Sequence, residues 1–302
     1  MNDDLSSATS ASTQDFCFVV TETFPGSASL HSSGAVISCC KTQDHTENIP
    51  SFDKPTPLSM EEDSVDDMYF GCTDDMVDIS NTYLKKEKKD MMWDEKVIKD
   101  CLKRTVKESK ALTEDQLRAL CAYTAAVLHV AFNKAVRAER TNYGSTFKYH
   151  SLHYLLTSAI QVLNPHHDIC NTVYRRTNYI YTGKVNQIIR LGYFGSASLV
   201  TTLTGFGANS CFKIQTCSGA DVHRYAQVPE QQEVLIPPYE QFKITEIHDG
   251  QGTSAELTDC RRVFVLESVG GRSSLNCKLV TTETEKQFPV PASFKLSVDA
   301  RG

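Results

Sequence analysis

The sequence predicts an α+β fold, with an N-terminal helical part followed by a mainly β half. Three observations predict it: apolar residues recur at helical spacing from about Trp93 to Leu163, short segments rich in Val, Ile, Tyr, Phe and Thr follow Cys170, and the two patterns succeed one another without alternating. Strand–helix alternation would instead point to a doubly wound nucleotide-binding sheet.

Taken in order, residues 1–60 are rich in Ser, Thr and Asp, carry no sustained apolar period and end in the Pro-containing stretch IPSFDKPTPL. They are expected to be a disordered or linker segment outside the core. The folded domain is expected over 61–292, helical over about 61–165 and β over about 170–292, with 293–302 as a tail. Thr113-Glu114-Asp115-Gln116 is a capping-box arrangement, which satisfies free N–H groups at a helix start. Leu117, Leu120, Cys121, Leu128, Ala131 and Ala135 follow at helical spacing, with Thr124 the one polar member of the stripe. A further helix over about 152–163 is apolar on Leu155, Leu156, Ala159 and Val162 and is stopped by Pro165. The strand segments then read TVYRRTNYIY, CFKIQTC, EVLIPP, FKITEI and RVFVLES, separated by Gly, Pro and Asn turns. No internal repeat is present.

At 302 residues and 40% hydrophobic content the chain is large enough for an enzyme-sized core. A net charge of -6, with no Lys/Arg-rich block, leaves no electrostatic footprint for nucleic acid or an anionic membrane, so any phosphate recognition must be local. Eleven cysteines without a CxxC point to disulfides before zinc, and the odd number leaves at least one unpaired within the chain. The compartment signals conflict. Residues 1–30 carry Asp3 and Asp4 and only a short apolar run, Phe16 to Val20, too brief for a secretory leader, and the C-terminal FPVPASFKLSVDARG lacks an apolar anchor signal. His166-His167-Asp168 follow Pro165 without an HExxH or a Cys/His cluster, so no metal is expected. Gly205-Phe206-Gly207 lacks the third glycine of a dinucleotide fingerprint. The acidic run Glu61, Glu62, Asp63, Asp66 and Asp67 reads as a solvated face, as do the lysines between 85 and 89.

Three segments of the β half carry chemistry together: Arg175 in VYRRTN, Ser196-Ala197-Ser198 in FGSASLV, and Glu233 in QQEVLIPP. Their order and spacing resemble the Arg…Ser-x-Ser…Glu-x-Glu triad of the vertebrate ecto-mono-ADP-ribosyltransferases. DSVDDMYFGC, AFNKAVR, FKYHSLHYLLTSAI, IQTCSGADV and EVLIPPYEQFKI are similar to further blocks of that family, so the resemblance runs over roughly 60–290. It implies a mainly antiparallel β core of ADP-ribosyltransferase type and transfer of ADP-ribose from NAD(P)+ to an acceptor protein, arginine by default, with release of nicotinamide. NAD(P)+ enters as substrate, and no permanently bound cofactor is implied. Arg175, Ser196 and Glu233 take the catalytic positions; Arg175, Arg176, Ser196, Phe206 and Glu233 take the nucleotide-binding ones; Gln231 lies on the acceptor side. The chemistry fits these residue types. Breaking the bond to a cationic nicotinamide builds an oxocarbenium-like ribose, which a fixed carboxylate such as Glu233 stabilises. Arg175 offers a permanently charged planar fork for the pyrophosphate or for holding the site, and Ser196 a hydroxyl that orients Glu233 or the ribose.

Two positions depart from the family pattern. Arg176 stands where the family form VYRG has a glycine that lets backbone approach nicotinamide. Gln231 replaces the first Glu of the Glu-x-Glu pair, which in the family holds an acceptor guanidinium; Gln hydrogen-bonds but does not neutralise arginine. Glu230, one residue earlier, would point to the opposite face if the segment were a strand. Gln231 therefore keeps an NAD glycohydrolase open as an alternative product, and the two departures together keep open an inactive NAD-binding or interaction module. The resemblance also implies disulfides Cys72–Cys277 and Cys170–Cys217, leaving Cys17, Cys39, Cys40, Cys101, Cys121, Cys211 and Cys260 without assigned partners. That pairing implies a secreted or extracellular protein with an atypical N-terminal segment. Oligomeric state has no signal in the sequence.

Overall fold

A computed structural model describes residues 54–280, apart from 91–94, 106–110, 126–127 and 166–168. Most of the segment read as N-terminal linker, the His166-His167-Asp168 triplet and the 293–302 tail therefore lie outside the described residues. Among the described residues a two-residue strand comes first and five α-helices follow: α1 (Thr73–Asp90), α2 (Glu95–Thr105), α3 (Glu114–Tyr123), α4 (Leu128–Ala138) and α5 (His150–Leu163). The capping box opens α3, with Thr113 Oγ1 accepting from the Gln116 amide and the Gln116 side chain accepting from the Thr113 amide at 2.9 Å.

The stripe from Leu117 to Ala135 is two helices, not one run. Thr124 ends α3: its hydroxyl donates back to the Leu120 carbonyl at 2.9 Å and accepts from the Gln227 amide at 3.1 Å, a side-chain competition that favours a helix end. A helix also lies ahead of the region where the apolar period begins. The inward positions of α1 are Met76, Ser80, Leu84 and Glu87, all buried, and two of the four are polar, so no apolar period shows. Glu87 accepts from the Ser151 and Leu152 amides at 2.8 and 3.1 Å, so a residue of α1 caps the start of α5. Burial raises its pKa to about 7, against the pull of those amides.

The strands are β1 (Thr56–Pro57), β2 (Asn171–Thr177), β3 (Tyr181–Thr182), β4 (Ile188–Arg190), β5 (Gly195–Ser198), β6 (Ser210–Thr216), β7 (Ala220–Asp221), β8 (Glu233–Ile236), β9 (Glu240–Asp249) and β10 (Arg262–Gly271). β1 pairs in parallel with β3, so ordered structure begins before residue 61: the linker-like Thr56-Pro57 is held through hydrogen bonds donated by the Thr56 and Leu58 amides to the carbonyls of Ile180 and Thr182. The other eight strands form one sheet in the order β4-β9-β10-β6-β2-β5-β8-β7, antiparallel except for the β10–β6 pair. Helices and sheet share one core. Phe132 of α4 stacks on Phe194 at 5.4 Å just before β5, and Phe212 of β6 stacks on Phe264 of β10 at 5.4 Å.

Part of the acidic run is not a solvated face. Asp66 and Asp67 are completely buried. Asp66 pairs with the equally buried Arg190 at 2.6 Å and accepts from the Ser274 and Leu275 amides, tying the entry of the fold to the exit of β10. Asp67 accepts from Tyr69 N, Cys277 N and Tyr143 Oη, and burial still raises its pKa to about 6. Four disulfides occur among the described residues: Cys72–Cys277, Cys170–Cys217, Cys101–Cys121 and Cys211–Cys260. The last two join cysteines that sequence left without partners; Cys17, Cys39 and Cys40 lie outside the described residues.

Candidate active site

The topology brings the three sequence-selected side chains onto neighbouring strands. Arg175 is on β2, Ser196 on β5 and Glu233 opens β8, and these strands adjoin in the order β2-β5-β8. β5 and β8 are short and buried throughout, so their residues cannot be repositioned without disturbing the core. Antiparallel register sets Ser198 directly opposite Glu233 and Ser196 opposite Leu235. A period of two therefore puts both serines on the Glu233 side of the pair.

Each side chain is held by named partners. Glu233 is 8% exposed, and burial pushes its pKa up to about 7, with the Ser196 hydroxyl and the Arg175 charge pulling the other way. Arg175 donates from Nη1 to the Ser196 carbonyl at 2.8 Å, and its guanidinium lies 5.5 Å from the Tyr193 ring centre. The Ser196 hydroxyl favours the ionised form of Glu233 and of the Tyr123 phenol, opposing the effect of burial on both. Ser198 ties down the segment entering β8: its hydroxyl donates to the Gln231 carbonyl at 2.6 Å and accepts from the Val200 amide at 3.0 Å.

Around the three lies a cleft lined further by Tyr174, Val200, Leu203, Phe206 and Gln231. Its lining is mostly apolar with a few convergent polar groups, the make-up of a small-molecule site. Phe206 closes a short turn, Thr204–Phe206, on the cleft wall. Arg176 borders the cleft too, but its guanidinium is engaged elsewhere, donating to both carboxylate oxygens of Asp259 at 2.8 and 2.9 Å and twice to the Thr201 carbonyl. Residues 229–231 form a short 3-10 turn, so strand alternation does not govern Glu230; it is exposed and does not line the cleft, whereas Gln231 does. Among the described residues no group of three His, Cys, Asp or Glu is arranged to hold a metal.

Sequence reasoning missed the layer behind the cleft. Tyr123 at the end of α3 is buried, donates to the Phe194 carbonyl at 2.6 Å and accepts from Asn133 Nδ2 at 3.0 Å. Asn133 also receives the Phe194 amide, so the approach to β5 is fixed by two helices. Asn133 sits in the AFNKAVR block, the one signal that pointed at this layer. Asp259 had none.

Comparison with known proteins gives one consistent result. The family described as NAD:arginine ADP-ribosyltransferase matches residues 58–260. GPI-linked NAD(P)(+)--arginine ADP-ribosyltransferase 1 of Mus musculus is 34% identical over 259 residues, covering 79% of this chain and 78% of that protein. The erythroblast NAD(P)(+)--arginine ADP-ribosyltransferase of Gallus gallus is 29% identical over 249 residues, covering 78% and 80%. In three dimensions the chain is similar to a mutant of the eukaryotic mono-ADP-ribosyltransferase ART2.2, crystallised in complex with NADH, at 30% identity and a TM-score of 0.61, covering 74% of this chain and 99% of that one. The chain with Arg175, Ser196 and Glu233 on adjoining strands thus belongs to the NAD:arginine ADP-ribosyltransferase family.

Proposed function

We propose that this protein is a mono-ADP-ribosyltransferase that takes NAD(P)+ as substrate and passes ADP-ribose to a protein side chain through Glu233. The observation that carries the assignment of roles is the convergence of Arg175, Ser196 and a buried Glu233 in one cleft. In the reaction the bond between ribose C1′ and the nicotinamide nitrogen breaks, and its electron pair leaves with nicotinamide. The ribose then carries oxocarbenium charge, which the ionised Glu233 faces at low local dielectric. An acceptor nucleophile forms the new bond to C1′ and releases its proton to solvent.

A carboxyl with a pKa near 7 is partly protonated in the resting cleft. An entering cationic nicotinamide ribose favours the ionised form, so substrate binding itself prepares the base form of Glu233. Ser196 orients that carboxylate, and Arg175 serves the pyrophosphate while holding β5 through the Ser196 carbonyl. Arginine is the acceptor by family. Its relatives are GPI-linked and ecto-enzymes, and four disulfides fit an oxidising compartment, which supports a secreted or cell-surface setting.

One observation favours a second product. The cleft rim presents the neutral Gln231 while Glu230 faces solvent, so a guanidinium acceptor meets no carboxylate there except Glu233, and water competes better. The test is nicotinamide release by the oxidised protein with and without agmatine, beside Glu233→Gln. ADP-ribosyl-agmatine, with a loss of about two orders of magnitude or more in the variant, supports arginine transfer. Consumption of NAD with agmatine unmodified supports hydrolysis, and no Glu233-dependent turnover rejects the enzyme.

A further inference from the structure

Arg176 and the Cys211–Cys260 disulfide form one structural unit. Arg176 of β2 is the register partner of Cys211 of β6, so their side chains leave the same face of the sheet. Cys211 is bonded to Cys260, which brings the 250–261 loop between β9 and β10 over that face and sets Asp259 beside Arg176. The guanidinium, 5% exposed, then does three things at once: it grips Asp259 with two nitrogens, lies 3.3 Å from the Cys260 sulfur, and donates from Nε and Nη2 to the Thr201 carbonyl at 3.2 and 2.8 Å.

Thr201 belongs to the segment that leaves β5 and forms one wall of the cleft through Val200, Leu203 and Phe206. Its far end is fixed separately. Arg261 N donates to Ala208 O at 2.8 Å, Asn209 N to Thr177 O at 3.1 Å, and Gly207, at φ +113°, leaves only 2.6 Å between a notional Cβ and the Asn178 amide. Between these anchors and Ser198, the Arg176 fork on Thr201 ties the middle of the wall to the sheet.

We propose that Arg176 and Asp259 are positioning residues, a strut that holds the 199–209 wall in the shape that receives NAD, with no contact between the Arg176 guanidinium and the substrate. This rests on the NAD-dependent function proposed above. A preformed wall removes an ordering cost from substrate binding and leaves the bond-breaking step, which belongs to Glu233, unaltered.

The test uses the full, oxidised chain and the exposed partner of the pair, Asp259, whose side chain is 42% exposed and therefore replaceable without emptying the core. Hydrogen exchange is followed on peptides covering 199–209 and 233–236, alongside steady-state NAD consumption. In Asp259→Ala, exchange accelerates in 199–209 but not in 233–236, KM for NAD rises about five-fold or more and kcat stays within about two-fold. Asp259→Glu, which keeps the charge, restores most of the KM. Unchanged exchange overturns the strut whether or not NAD is consumed, and faster exchange with unchanged KM overturns its role at the cleft. Absence of turnover by the unsubstituted protein sinks the proposed function, and the exchange measurement then decides the strut by itself.

Discussion

Replacing Glu233 by Gln is expected to stabilise the protein by an amount that grows with pH. In the fold the carboxyl titrates near 7 because it is buried; in the unfolded chain it titrates near its ordinary value of 4.5. Between those values the unfolded state releases its proton and the folded state keeps it, so stability falls as pH rises through the window from about 4.5 to 7 and is flat outside it. A shift of this size corresponds to about 3 kcal/mol at full ionisation, of which somewhat under 1 kcal/mol is already lost at pH 5. Gln keeps the shape of the side chain but never ionises. Its advantage over wild type should therefore grow by about 2 kcal/mol between pH 5 and pH 8, or roughly 5 °C in melting temperature for a domain of this size. The assay is denaturant unfolding of both proteins at the two pH values with disulfides intact. An advantage independent of pH, or one larger at pH 5, would refute the claim that burial holds this carboxyl protonated. The same titration shapes activity: kcat/KM for NAD in wild type should fall on the acid side with a midpoint near 7.

Arg190→Met would remove the cation paired at 2.6 Å with the completely buried Asp66; unfolding free energy should drop by about 3–5 kcal/mol, and a loss under 1 kcal/mol in equilibrium denaturation would contradict the pairing seen here. Tyr123→Phe removes the bond to the Phe194 carbonyl and leaves Asn133 Nδ2 to its 3.2 Å bond with the same carbonyl, which should cost about 0.5–1.5 kcal/mol by the same measurement. Removing disulfides by paired Cys→Ser changes should follow loop length: about 5 kcal/mol for Cys72–Cys277, which spans 205 residues, and about 3 kcal/mol for Cys101–Cys121, which spans 20, so a reversed order in thermal or denaturant unfolding would count against a loop-closure origin.

The legible parts of this protein are those where local chemistry decides. Thr113 and Gln116 announce α3 because a capping box is complete within four residues. β8 is visible because VLI is apolar and two prolines end it, and Glu233 is singled out by its place in front of that run. What sequence did not display was decided across distance. α1 hides its period because two of its buried positions, Ser80 and Glu87, are polar, and Asp66 reads as surface until Arg190, over a hundred residues later, arrives beside it. Asp259 has no meaning until Cys260 bonds Cys211 and brings its carboxylate to the Arg176 guanidinium.

The Cys72–Cys277 bond has a mechanical consequence as well. A pull on the chain from either side of the pair would travel through one covalent bridge, since Cys72 and Cys277 have Cα atoms 6.0 Å apart although 205 positions separate them. The intervening polypeptide, with every strand from β2 to β10, would sit in a slack loop off the line of force. Tension would then be borne by sulfur, and the cleft between β2, β5 and β8 would keep its geometry under loads that would unzip an unbridged sheet.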